Sequence, residues 1–208
     1  MSMTCDSVCR LCRREGIKLF LKGAKCDTPK CPLTRRDYAP GQHGWKHGKM
    51  SEFGRQLREK QKLKRFFGVM ERQFRRYFKD ARVSKGNTGN LLLQLFERRL
   101  DNVLTRMGFA TSRAHARSLV VHGHIAVNGK RVDRPSYQLK LNDVITPNNT
   151  ENARKVVGEA SKMRAAGNVP SWVQVDAANL RGVLSQLPTR DEFPFQLQEQ
   201  MIIEHCSR

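Results

Sequence analysis

Residues 111–132 read Thr-Ser-Arg-Ala-His-Ala-Arg-Ser-Leu-Val-Val-His-Gly-His-Ile-Ala-Val-Asn-Gly-Lys-Arg-Val, and two periodicities meet inside them. Ala116, Leu119 and Val120 form one stripe of a 3.6-residue repeat, with Thr111 as the expected N-cap. Arg113 and Arg117 stand at i, i+4 on another face, so both project to the same side of the helix. After Gly123 the pattern becomes a strand, an Asn128-Gly129 turn and a returning strand over 124–132. Asn-Gly between two short β-prone runs is the strongest local hairpin signal, because a type I′ turn needs φ > 0 at both central residues. Lys130 and Arg131 sit at its tip. With the polar turn at Asn142-Asp143 and the apolar run after it, the segment predicts a small α+β unit.

Upstream, LLLQLFERRLDNVLTRMG over residues 91–108 predicts one continuous apolar helix ending near Gly108. Two basic helices precede it. The first starts at Ser51 as N-cap and stops at Gly68, with Phe53, Leu57, Leu63, Phe66 and Phe67 as apolar anchors. The second runs from Glu71 to Arg82, with Phe74, Tyr77, Phe78 and Ala81 inward and Arg72, Arg75, Arg76 and Lys79 outward. Residues 151–164 predict a helix, 172–175 a strand and Met201–His205 another strand.

Charge separates these regions. The chain carries +20 at pH 7, with 23 Lys and Arg against 8 Asp and Glu in residues 1–85, 9 against 4 in 86–150, and 7 against 7 in 151–208. A cationic front half calls for a polyanion, and nucleic acid is the first candidate. No run of about 18 apolar residues exists to span a bilayer. MSMTCDSVCRLCRREG holds no signal core, so a cytosolic address is expected.

Four of six cysteines fall as Cys9, Cys12, Cys26 and Cys31, in the pattern C-x2-C-x13-C-x4-C. That spacing suits one tetrahedral ion, and a closed four-sulfur shell leaves no catalytic position, so one structural zinc is expected. An iron–sulfur cluster shares the donor set, and a reducing compartment disfavours disulfides. Arg10, Arg13, Arg14, Lys25 and Lys30 are expected to lower the thiol pKa values. Cys5 competes for a place in the shell. Cys206, beside Met201, Ile202 and Ile203, reads as small buried packing.

Between Thr34 and Lys49 lies a loop rich in Gly, Pro and His. Gly41, Gly44 and Gly48 permit close approach to phosphate, and Tyr38, His43, Trp45 and His47 offer rings for stacking on bases; a plain linker shares the composition. No catalytic grouping stands out. His115, His122 and His124 lack a carboxylate or nucleophile in catalytic spacing, and Asp101, Asp133, Asp143, Asp176 and Asp191 form no carboxylate pair. An RNA-modifying enzyme needs a catalytic domain that residues 151–208 are too few to build. A free regulatory RNA binder is also compatible with the composition.

Arg-Leu-Asp-Asn-Val-Leu at 99–104, Thr-Ser-Arg-Ala-His-Ala-Arg at 111–117 and His-Gly-His-Ile-Ala-Val-Asn-Gly-Lys-Arg-Val at 122–132 resemble the S-four RNA-binding domain. With Cys-Arg-Leu-Cys-Arg-Arg-Glu-Gly, Tyr-Ala-Pro-Gly-Gln-His-Gly and Leu-Arg-Glu-Lys-Gln-Lys-Leu ahead of them, nearly the whole chain is similar to the family of bacterial small ribosomal subunit protein four, in its four-cysteine branch. The resemblance implies an α+β fold, mostly helical, with an N-terminal zinc segment and basic loop over 1–45, a helical body from 46–97 and 160–208, and the S-four-type module inserted at 98–159. It implies a structural constituent of the small subunit, cytoplasmic and ribosome-bound, that binds a junction in the five-prime domain of ribosomal RNA and nucleates assembly. It further implies ribosomal proteins five and three as neighbours, messenger RNA where it enters the particle, a part in translational accuracy and repression of its own translation. Cys9, Cys12, Cys26 and Cys31 become zinc ligands. The residues expected on RNA are then Arg13, Arg14, Arg35, Arg36, Tyr38, Gln42, His43 and Gly44 in the first segment, and Arg55, Arg58, Lys60, Lys62, Lys64, Arg65 and Arg72 on the basic helices. Arg113, Arg117, His122, His124, Asn128, Lys130 and Arg131 complete the set. No membrane and no small-molecule substrate is implied.

Overall fold

A computed structural model of the chain describes residues 7–44, 48–164, 169–193 and 195–207. It divides into two compact units, Met1–Leu92 with Pro194–Arg208, and Leu93–Phe193. In the first unit, two short helices, α1 (Cys9–Glu15) and α2 (Pro32–Arg35), flank a 3-10 turn at Gly23–Cys26. Then come α3 (Glu52–Phe67) and α4 (Glu71–Val83). Ser51 caps α3 as predicted, its hydroxyl accepting from the Gly54 N–H at 3.2 Å, and Gly68 closes the helix in the left-handed region at φ 62°. Leu63, Phe66 and Phe67 are buried along one face, with Phe74, Tyr77, Phe78 and Ala81 of α4. Each buried aromatic contributes about 1.5–3 kcal/mol. Phe53, expected as an anchor, is 51% exposed, because it stands on the solvent side of the first turn.

The continuous helix predicted for 91–108 is two helices, α5 (Thr88–Glu97) and α6 (Leu100–Met107). Arg99 breaks them apart with an extended backbone, φ −66° and ψ 137°, and bridges to Gln138. The first amides of α6 are not orphaned: Leu100 N–H donates to the Tyr137 carbonyl at 2.9 Å and Asp101 N–H to that of Pro135 at 3.2 Å. A distant loop replaces the missing helical turn.

α7 (Arg113–Val121) follows, capped by Ser112 rather than Thr111. The Ser112 hydroxyl accepts from the His115 N–H at 3.2 Å, while the Thr111 hydroxyl lies 3.2 Å from His115 Nδ1. The hairpin forms as expected from β1 (Ile125–Val127) and β2 (Lys130–Arg131), with Asn128 at φ 51° and Gly129 at φ 75°. Both signs are those of a type I′ turn.

β3 (Val144–Pro147), α8 (Glu151–Arg164), β4 (Val173–Asp176) and β5 (Arg181–Leu184) complete the unit, in an antiparallel sheet ordered β2-β1-β3-β5-β4. Residues 160–193, read from sequence as helical body, therefore lie in this unit, because β5 pairs with β3 through Val144 and Val183. Four residues are too few to show β5 by alternation, and one is Gly182, where any Cβ would strike the Met107 side chain. Leu100, Leu104, Phe109, Ile125, Leu139, Trp172 and Leu184 belong to its core.

The chain then returns to the first unit with α9 (Glu199–Ser207), where a strand was expected at 201–205. A run of three apolar residues does not choose its own period, and α9 settles it by packing against α3. Gln56 Nε2 donates to Glu204 Oε2 at 3.1 Å, and the Phe53 and His205 rings stand 5.1 Å apart. Cys206 is half-buried there, and burial pushes its thiol pKa up. Among the described residues no helix is long and apolar enough to cross a membrane.

Candidate nucleic-acid interface

The first segment is organised around sulfur. Cys12, Cys26 and Cys31 are buried, Cys9 is half-buried, and all four are free thiols. The Lys22 N–H points at Cys26 Sγ from 3.4 Å. Burial raises the Cys12 and Cys26 thiols, and the charges of the other sulfurs add to it, so the expected lowering by nearby Arg and Lys is not found at these two. As placed, no three His, Cys, Asp or Glu among the described residues form a group that holds a metal ion. Four thiols that sense one another's charge are nonetheless the right donor chemistry for a four-sulfur centre. Cys5, Trp45 and His47 lie outside the described residues.

Several cations expected on RNA are occupied internally. Arg13 donates from Nε to the Tyr38 carbonyl at 3.1 Å and places its guanidinium 4.8 Å over the Tyr38 ring, and Arg14 Nη2 reaches the Pro40 carbonyl at 3.0 Å. These two arginines shape the 38–40 loop. Gly44 is buried against the Ala39 carbonyl with no room for a side chain, so it closes this loop rather than admitting phosphate, whereas Gly41 and Gly48 face open space. Arg35, Arg36, Gln42 and His43 are exposed.

On α3 the same correction applies more widely. Arg58 and Arg65 both bind Glu15, whose side chain is 1% exposed, and Lys62 binds Glu59. Burial pushes the Glu15 carboxyl up against the pull of its arginines. Lys60 is buried and meets Glu71 Oε1 at 2.8 Å, and Lys64 meets Oε2 at 3.2 Å. Arg55 is exposed, as are Arg72, Arg75, Arg76 and Lys79 of α4. The outward cationic face therefore belongs to α4 more than to α3, and of its four cations only Arg72 was among the residues expected on RNA. The helical period already placed the others outward.

Glu71 gives a pH signature. Burial raises its carboxyl, but hydrogen bonds from Lys60 and Lys64, with their charges, outweigh burial and hold it at about 2, against an ordinary 4.5. A depressed folded-state pKa contributes stability that is complete above the unfolded value and is lost as pH falls through the folded one. Glu71→Gln is expected to lower the first unit's melting temperature at pH 7 and to remove part of its acid sensitivity between 4.5 and about 2. Parallel acid titrations of wild type and variant would refute this.

In the second unit, Glu97 is buried and accepts from Arg106 twice, Nη2 to Oε1 at 2.6 Å and Nε to Oε2 at 3.1 Å. Asn102 Nδ2 donates to the Glu97 carbonyl at 3.2 Å, and Arg113 Nε to Asn102 Oδ1 at 2.9 Å. Arg113 is thus tied through Nε to the core network, which fixes the direction of its guanidinium. Arg117 is half-buried on the same helix. Asn128, expected on RNA, commits both ends of its amide: Nδ2 donates to Asp143 Oδ1 and Oδ1 accepts from the Val144 N–H, each at 2.9 Å. It fixes the hairpin to β3. Lys130, Arg131 and His122 are exposed, His124 is half-buried, and the two imidazoles stand 6.1 Å apart. Arg134, missed by the sequence reading, is exposed in the loop after β2.

A helix with a tethered arginine, a basic hairpin and, in the other unit, a basic helix face are surfaces that suit phosphate. Residues 4–97 match the ribosomal protein S4/S9 N-terminal domain, and residues 98–145 match the S4 domain. Small ribosomal subunit protein uS4 of Dictyoglomus thermophilum is 54% identical over 200 residues, covering 96% of each chain. The uS4 of Thermodesulfovibrio yellowstonii is 49% identical over 208 residues, covering both chains in full. The chain belongs to the uS4 family. As a uS4 family member it is a structural constituent of the small ribosomal subunit, not an enzyme, and it is cytoplasmic and ribosome-bound. Binding to small-subunit ribosomal RNA goes with the family. In this uS4 chain the S4-domain match ends at Asn142-Asp143-Val144-Ile145, within β3, while the compact unit continues through β4 and β5.

Proposed function

We propose that this chain is a primary binder of small-subunit ribosomal RNA that nucleates subunit assembly from a multi-helix junction in the five-prime domain. Ribosomal proteins five and three are its neighbours there, and its basic residues meet messenger RNA where it enters the particle, with a part in translational accuracy. Repression of its own translation uses the same RNA-binding surfaces. Cys9, Cys12, Cys26 and Cys31 hold one structural zinc, which would tie α1, the 3-10 turn and α2 into one piece. The observation that carries the reading is the placement of cations without carboxylate partners among the described residues, Arg35, Arg36, Arg72 and Arg76 in one unit and Lys130 in the other, in a chain of this family.

Binding of a five-prime-domain transcript, measured against salt, tests it. Wild type is expected to prefer that transcript over random RNA and to lose affinity steeply as salt rises. Lys130→Glu is expected to reduce the salt slope by about one with melting unchanged. Arg113→Glu lowers both affinity and melting temperature, because it sets a carboxylate against Asn102 and Glu97. Equal affinity for random RNA would remove the proposal.

A further inference from the structure

The four-cysteine segment does more than bury its sulfurs: it gathers six cations around one hollow. A cavity of about 350 Å³ is lined by Arg10 and Arg13 of α1, Lys22 and Lys30 of the intervening loops, and Arg35 and Arg36 at the end of α2. Cys9 also faces it, and among the described residues no carboxylate lines it. The contrast with α3 is chemical. There the chain spends Glu15, Glu59 and Glu71 on its own cations, whereas none of these six is ion-paired among the described residues. Like charges gathered around one concavity repel one another, and an anion between them relieves that repulsion. Arg13 is also pre-set, because the Tyr38 and Ala39 carbonyls and the Tyr38 ring hold its guanidinium and leave Nη1 to donate.

We propose that this hollow is a phosphate seat that takes two successive phosphates of a sharply turned RNA strand. The inference rests on the RNA-binding role above and adds a place and a ligand group to it, including Arg10, Lys22 and Lys30, which were not among the residues expected on RNA. Six charges exceed what one phosphodiester neutralises. The six come from three parts of the segment: α1, the loops around the 3-10 turn, and the end of α2. The same chemistry would accept a free polyphosphate, and the test separates the two.

The probe is pyrophosphate, titrated into the whole chain by calorimetry at low ionic strength. Wild type is expected to bind at one site, and Lys22→Gln/Lys30→Gln, both at exposed loop positions, to bind about tenfold more weakly. Arg72→Gln/Arg76→Gln on α4 is the control and should bind as wild type does. Equal affinity of the loop variant, or an equal loss in the control, overturns the seat. With the five-prime-domain transcript, the loop variant is expected to lose affinity and pyrophosphate to compete with RNA. If pyrophosphate binds the seat but the loop variant holds RNA as tightly as wild type, the occupant is a free polyphosphate and the assignment to the strand fails. If wild type binds pyrophosphate there but shows no preference for the transcript, the RNA-binding role fails while the seat stands.

Discussion

Asp101→Ala is expected to destabilise the second unit by about 3–5 kcal/mol, the cost of leaving a buried charge without its partner. Arg99 is 1% exposed and Asp101 3%, and the guanidinium meets the carboxylate twice, Nε to Oδ1 at 3.0 Å and Nη2 to Oδ2 at 2.7 Å. The pair sits where α5 ends and α6 begins, so it also holds the extended residue that separates them. Trp172, 2% exposed in the same core, reports the transition by its fluorescence in urea. A double replacement, Arg99→Met with Asp101→Leu, is expected to recover part of the loss, since it removes both charges of the pair together. A single variant that costs under about 1 kcal/mol would show that water reaches the guanidinium and that the pair is ordinary surface chemistry.

The second large effect concerns the thiols. A strong chelator is expected to open residues 7–44 to protease while leaving the second unit protected. The segment has few buried apolar groups, Leu19 among them, and its short helices α1 and α2 do not stand alone. A four-sulfur metal contributes folding free energy on the order of 10 kcal/mol, far more than those contacts. Cys12→Ser should reproduce the chelated pattern without chelator. The metal assignment would be lost if cleavage of 7–44 were the same with and without chelator, or if the thiols of the purified chain all reacted at once before any metal was removed.

The two outcomes separate what the units depend on. The second unit closes on an apolar core that residue pattern predicts well: Leu119 and Val120 by period, Ile125 and Val127 by the hairpin they flank. Its turn was legible because φ > 0 at two successive residues restricts the chemistry to Asn and Gly. The break at Arg99 was not, because Leu93, Phe96, Leu100, Val103 and Leu104 keep a helical rhythm across it. What ends the helix is a pair of carbonyls at Pro135 and Tyr137, more than thirty residues away.

The interface divides along the same line. That Lys60, Lys64, Arg58 and Arg65 stand on a basic helix is plain from the residues, and so was the inference that they face RNA. Their partners Glu71 and Glu15 come from other elements, and only packing brings them within hydrogen-bonding reach. The strand expected at 201–205 failed for the same reason, since three apolar residues fit either period until α3 supplied a surface.

By itself the amino-acid sequence determined the family, the uneven cationic charge, the helix caps at Ser51 and Gly68 and the Asn-Gly hairpin, all of which depend on residues within a few positions of one another. Tertiary structure alone decided which cations are spent on Glu15 and Glu71, where the apolar helix breaks and how β4 and β5 extend the sheet. The reason is range: local backbone preference and composition act along the chain, while ion pairing, strand pairing and burial act between segments that only folding brings together.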